Sequence, residues 1–203
     1  MALERGGRAD KLGNRYEGLW VAEKTLDILD GKARSILIEA LGDDEKGTEF
    51  WLELNNGKRQ AHQCKVRNAS KESWSISDLG TNGVLQNLKF QLDRTENHEF
   101  VFVSGVPVTI LGDICDSARN SDGNSETFYN HQIVSLGRPR MKAFEDFCTQ
   151  LSLNKDEPLD RETAFSYLCR TRIVLFPSDE TFVNNRIGYT LTSDFVSNRK
   201  LLI

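Results

Sequence analysis

A chain of 203 residues with 38% hydrophobic and 28% charged side chains has enough apolar material for one sizeable core, or a core with a small appendage, and no apolar run approaches the ~20 residues of a membrane span. A formal net charge of -4 excludes a generic polycationic nucleic-acid coat while leaving room for a local basic groove. The polar N-terminal stretch lacks the apolar region of a signal peptide, which makes the cytoplasm the expected compartment, and the scattered Cys64, Cys115, Cys148 and Cys169, without a C-x-x-C pair, read as reduced core thiols.

Residues 1–13, MALERGGRADKLG, show no apolar periodicity and read as a loose leader. From Asn14 onward, Tyr16, Leu19, Trp20, Ala22, Leu26 and Leu29 recur mostly at three- and four-residue intervals, the pattern of an amphipathic helix that Gly31 stops. RSILIEAL then reads as a first strand, nearly continuous in its apolar residues and therefore expected to be buried, and GDDEKG as a loop.

The stretch EFWLELNNGKRQAHQCKV, residues 49–66, predicts a hairpin around Asn55-Asn56-Gly57 with Gly57 left-handed. That loop pairs position 49 with 63, 51 with 61 and 53 with 59. One face then carries Phe50, Leu52, Leu54, His62, Cys64 and Val66 and is expected to be the core. The other gathers Glu49, Gln63 and Lys65 around Trp51, with Glu53 as a solvated acid.

Beyond the hairpin, Ser75 and Ser77 are candidate N-caps for one helix over 78–92, weakened at its start by Gly80 and Gly83. HEFVFVSG is the clearest strand, 109–119 reads as a helix, and NSDGNSE as a surface loop. Helix, three strands, helix, strand, helix describes an α/β domain over 14–125. In 126–203, Phe144, Phe147, Cys148 and Leu151 mark one amphipathic helix, and RETAFSYLCRTRIVLF reads as a second helix with a short strand. This part is expected to be a mainly helical extension or linker, and the apolar end NRKLLI suggests a further domain downstream.

An acid, an amide and an amine on adjacent strands suit phosphodiester hydrolysis with a divalent cation. Mg²⁺ takes one or two carboxylates and keeps several waters, while a lysine orients the attacking water and offsets charge on the phosphate. Glu49 and Lys65 fill those roles, with the Gln63 amide and the Cys64 carbonyl as further oxygen ligands. Glu39 and Glu17 are accessory acids expected at the same end of the sheet, and Asp43 and Asp44 are rival ligands. His62 falls on the core face and reads as a satisfied core histidine. His98 and His131 lie in turn-like contexts without a nucleophile, and no Walker or dinucleotide glycine motif follows Ser104-Gly105. Arg138, Arg140 and Lys142 form a solvated basic cluster, with contact to DNA backbone as the alternative.

The helix with GNRYEGLW, the strand ILIEA, then GTEFWLEL and HQCK, together resemble the restriction-endonuclease-like PD-(D/E)xK superfamily. The Q-x-K form resembles its Mrr-like branch. SWSISDLGTNGVL and FVFVSG are similar, more narrowly, to N-terminal effector nucleases of bacterial anti-phage proteins, of the CBASS and AVAST STAND-ATPase kinds. The resemblance spans roughly residues 13–120. It implies a Mg²⁺- or Mn²⁺-dependent endonuclease of double-stranded DNA with Glu49, Gln63 and Lys65 as metal and catalytic positions and Glu39 as accessory. It further implies a homo-oligomer governed by an ATPase or sensor domain downstream or in a partner. Glu49 stands where aspartate is usual, so the principal acid stays open between Glu49 and Asp44. Two rivals also stay open: a non-catalytic interaction module on a degenerate nuclease fold, and a nuclease acting on RNA or single strands.

Overall fold

The computed structural model describes residues 4–66, 71–176 and 180–196. The first three residues of the expected leader and the terminal NRKLLI lie outside them. The chain opens with α1 (Glu4–Leu29), which starts ahead of the expected Asn14. Residues ahead of Asn14 lack an apolar stripe, but once a helix is nucleated each added turn costs little, so periodicity underestimates its length. Tyr16, Trp20 and Leu26 are its buried stripe. Gly31, at φ +70, closes it with a paired cap in which Gly31 N–H donates to Ile28 and Lys32 N–H to Asp27.

Five strands follow in the order β1 (Ala33–Ile38), β2 (Phe50–Leu54), β3 (Arg59–Lys65), β4 (His98–Ser104) and β5 (Thr171–Leu175), which is also their order across one mixed sheet. β1, β2 and β3 form an antiparallel meander, and β3, β4 and β5 run parallel. The hairpin register is the expected one, with Trp51 opposite Ala61 and Glu53 opposite Arg59. Gly57, at φ +82, and the bond from Leu54 N–H to Lys58 carbonyl at 2.8 Å close its three-residue loop.

Helices cover both faces of the sheet. On one face, Phe50, Leu52, Cys64, Val101 and Val103 pack under Tyr16 and Trp20 of α1. On the other, Trp51, Ala61, Phe100 and Phe102 join a larger core. That core draws on α2 (Ile76–Thr81), α3 (Val84–Asp93), α4 (Thr109–Arg119), α5 (Ser125–Phe128), α6 (Arg138–Gln150) and α7 (Pro158–Cys169). The last α-helix among the described residues, α8 (Glu180–Thr190), packs against α1. Among the described residues no helix is long and apolar enough to cross a membrane.

Several expectations are corrected. The hairpin's second face is buried, with Trp51 only 1% exposed, because α3 lies over it. RSILIEAL is an edge strand, largely exposed despite its apolar residues, since β1 has a neighbour on one side only. The single helix expected over 78–92 is two: Ser75 caps α2 through a reciprocal bond pair with Asp78, and Gly83 at φ +75 breaks the path before α3. Finally, the boundary expected near residue 125 is neither a sheet edge nor a core edge. β5 completes the sheet beside β4, and Phe144, Phe147 and Leu168 sit in the same core as Trp51.

Candidate functional site

The end of the sheet where β2 starts and β3 finishes brings the predicted hairpin residues together. Phe50 and His62 are the last pair of the β2–β3 ladder. Beyond them the Cys64 N–H has no strand partner on that edge, and it donates instead to Oε2 of Glu49 at 3.1 Å. Glu49 N–H is held in turn by the His62 carbonyl at 2.9 Å. A residue's N–H and C=O point to the same strand edge, so the Cys64 carbonyl shares the side that Glu49 occupies. Lys65 is the last residue of β3.

α1 contributes Glu17 to this end. The helix is fixed by Tyr16, whose hydroxyl donates to the Phe176 carbonyl at 3.0 Å, and by Trp20, whose indole N–H donates to His62 Nδ1 at 3.1 Å. Glu17, between them and half-buried, feels the charges of Glu49 and Lys65. Burial pushes the Glu49 carboxyl up to about 7. Lys65 and the Cys64 N–H oppose that rise, and Glu17 adds to it. Burial also raises Glu17, again with Lys65 opposing. The Cys64 thiol is raised well above its ordinary value by burial and by both acids, so it stays a protonated core thiol.

Two partly desolvated carboxylates thus share one lysine. This set is short of positive charge and suits a divalent cation, which takes one or two carboxylates in its Mg²⁺ form. Gln63, in β3 between His62 and Cys64, is 4% exposed, and its Oε1 has no hydrogen-bond partner in the protein. An orphaned amide oxygen on β3, next in sequence to Cys64, fits a further cation ligand. Among the described residues no three His, Cys, Asp or Glu side chains converge, so a cation here would rest on two acids, amide or carbonyl oxygen and water.

Other candidates fall elsewhere. Asp44 pairs with Arg59 at 3.0 Å and Arg94 at 2.6 Å, which hold its carboxyl below the ordinary value despite burial, so its charge is already met by two arginines away from Lys65. Its carbonyl accepts the Trp51 indole N–H at 2.8 Å, and its partner Arg59 is the first residue of β3, at the other end of that strand from Lys65. The Asp43 carbonyl accepts from Gln91 at 2.9 Å, an anchoring contact for its loop. Glu39 follows β1 at φ +55, exposed, one position past Ile38, which pairs with Phe50. It therefore emerges at the same end of the sheet as Glu49, as expected.

Ser104 Oγ accepts from Trp74 Nε1 at 2.8 Å and Val106 N–H at 3.1 Å, which makes it a turn anchor. His98 is not in a turn; it lies in β4, buried, with Nδ1 3.0 Å from the Gln91 carbonyl. In the basic cluster, Arg140 donates to Ser117 at 2.8 Å and Lys142 pairs with Asp146 at 3.0 Å, so both are engaged within the fold.

Sequence reasoning missed the Trp20–His62 bond, which locks α1 over β3. The helical stripe and the strand face each showed one partner, but only their packing joins them. Comparison with known protein families, curated proteins and solved structures finds no match.

Proposed function

We propose that this chain is a Mg²⁺- or Mn²⁺-dependent endonuclease of double-stranded DNA with a restriction-endonuclease-like core. The observation that carries the reading is the meeting of Glu49, Glu17 and Lys65 at one sheet end, with the Cys64 N–H on the Glu49 carboxylate. The order helix, antiparallel meander, helices, parallel strand supports the same reading.

Glu49 and Glu17, with the Gln63 amide oxygen and the Cys64 carbonyl, would hold the cation, which when bound supplies charge stabilisation at the phosphate. The Cys64 N–H fixes the Glu49 carboxylate in one orientation. The Lys65 amine, beside both acids, orients the attacking water and offsets the negative charge that builds on the phosphate oxygens. The bacterial defence role, the cytoplasmic setting, the homo-oligomer and its ATPase or sensor domain are part of the proposal through the resemblance alone. Assembly would also gather several modest basic patches on one duplex, which suits a net acidic chain.

Plasmid nicking by concentrated protein with Mg²⁺ or Mn²⁺ tests the reading. Cutting is expected to disappear with EDTA and to fall about a hundredfold or more in Lys65→Ala. The scaffold reading is favoured by the lack of a third converging acid among the described residues. If neither nicking nor calorimetric Mn²⁺ binding is seen, the scaffold reading stands in place of the nuclease.

A further inference from the structure

β1 is an outer strand, and among the described residues no strand pairs with its free edge. Outer strands are normally blunted by a charge, a proline or a bulge in mid-strand. Here the bulge falls at the N-terminal end, between Ala33 and Ser35, and Glu39 at φ +55 ends the strand at the other. Between them Ile36, Leu37 and Ile38 form a regular, uncharged run with an open row of backbone N–H and C=O groups.

Exposed apolar surface lies on both faces of that run. Residues opposite each other in an antiparallel pair share a face. Leu37 lies opposite Trp51, on the face of the larger core, and is 47% exposed. Ile38 lies opposite Phe50, on the α1 face, and is 50% exposed. A helix laid on the sheet would cover only one of them. A strand added in the plane of the sheet, with apolar side chains of its own on both faces, covers both.

The run supplies such a strand itself. Because side chains alternate between faces, a symmetric antiparallel pair needs one residue on its axis. With Leu37 facing Leu37, Ile36 of each copy meets Ile38 of the other, and Ser35 meets Glu39. Leu37 is the one position that keeps all three central pairs apolar. Charge agrees with this register, since Arg34 of one copy then stands beside Glu39 of the other. Arg34, 73% exposed, meets Glu53 through Nη1 alone at 3.4 Å, and Glu39 is exposed without a hydrogen bond or ion pair to the described residues. A parallel, in-register pair would set like charges face to face, which is unfavourable.

We propose that this chain self-associates through β1, with two copies pairing antiparallel about Leu37 and joining their five-stranded sheets into one. This gives the homo-oligomer of the reading above a surface. It uses neither Glu49 nor Lys65, and its readout is mass and not cutting, so it can fail while the nuclease reading holds. A ladder of this length suits a weak, reversible dimer.

Sedimentation of the whole chain from micromolar to near-millimolar concentration is expected to show a monomer–dimer equilibrium and no larger species, because an axis at β1 closes the assembly. Leu37→Lys and Leu37→Glu, each at an exposed edge position, are expected to weaken the dimer about a hundredfold or more when alone, since each sets like charges against each other. Mixed in equal amounts, the two are expected to recover the dimer, which also shows that both are folded. Leu37→Cys is expected to give a disulfide-linked dimer on mild oxidation, and Leu175→Cys, on the other outer strand, is expected to give none. A chain that stays monomeric at every concentration overturns the proposal, as it would if another protein's strand were the partner of β1. So does a dimer that both charged variants leave intact, a mixture that fails to recover it, or growth beyond the dimer, which pairing of β1 with β5 would produce.

Discussion

The backbone N–H of Cys64 lies 3.1 Å from Oε2 of Glu49, so the strand edge itself orients the acid nearest the ladder's end. Oriented and desolvated, that acid becomes a proton-sensitive element of the fold. Its folded value of about 7 lies above its ordinary 4.5, so the folded protein holds this proton more tightly than the unfolded chain. Its stabilising contribution is complete below pH 4.5 and is lost as pH rises to about 7. Denaturant titrations from pH 4.5 to 7 should therefore show a downward component that Glu49→Gln removes. Millimolar Mg²⁺ should flatten it as well, because a cation at the acid pair displaces the proton. A slope unchanged in Glu49→Gln would show that another group carries it.

Glu99 has the opposite sign. Burial acts to raise its carboxyl, but bonds from Gln60, Lys58 and Arg172 bring it down to about 2. Its stabilisation is fully present above pH 4.5 and is lost as pH falls towards 2. Acid unfolding should begin lower in the native chain than in Arg172→Met, where one of these partners is gone. The measurement is the far-ultraviolet circular dichroism midpoint on acid titration.

The Trp20 to His62 bond joins α1 to the sheet across an apolar layer. Trp20→Phe keeps the ring but leaves His62 Nδ1 buried without a donor, at a cost of about 1–3 kcal/mol. Chemical denaturation gives the value. A loss below about 0.5 kcal/mol would mean that water replaces the indole.

The hairpin and its acid, amide and lysine were legible in the sequence because they depend on local rules: Gly57 fixes the loop, the loop fixes the register, and register leaves Glu49 at the end of the ladder, where the last residues of β3, Gln63 to Lys65, also lie. Glu17 was legible as a spacing on α1, though its place beside Glu49 depends on how Tyr16 and Trp20 anchor the helix. What local rules could not supply is the neighbour on the far side. Trp51 and Gln63 read as part of a face gathered around an acid and a lysine, apart from the core, and only the arrival of α3 and its companions makes Trp51 interior. Asp44 looked like a ligand until Arg59 and Arg94, distant in sequence, closed on it. RSILIEAL read as buried because an edge strand can carry as many apolar residues as a central one.

Gly105 follows β4 and donates its N–H to the Lys65 carbonyl at 3.2 Å. A Cβ on it would stand 2.2 Å from the Val66 carbonyl oxygen, which is backbone and cannot rotate away. Gly105→Ala should cost about 1–3 kcal/mol in denaturant unfolding. As the strain falls beside Lys65, the variant should also lose nicking activity at temperatures where it remains folded. Wild-type stability in this variant would mean that β3 and β4 separate freely at this end.

The parallel pairing of β4 with β5 sets an order of assembly. β1 to β3 are joined by short connections, and α2 and α3 alone separate β3 from β4, but four helices intervene before β5 arrives. Closing that long excursion is slow, because loop entropy is lost before any ladder bond forms. Until it closes, β4, entirely apolar from Phe100 to Val103, presents an open edge, the kind of surface that pairs with another chain's strand. During synthesis α6 and α7 emerge ahead of β5, so the larger core can shelter one face of β4 before its edge is sealed.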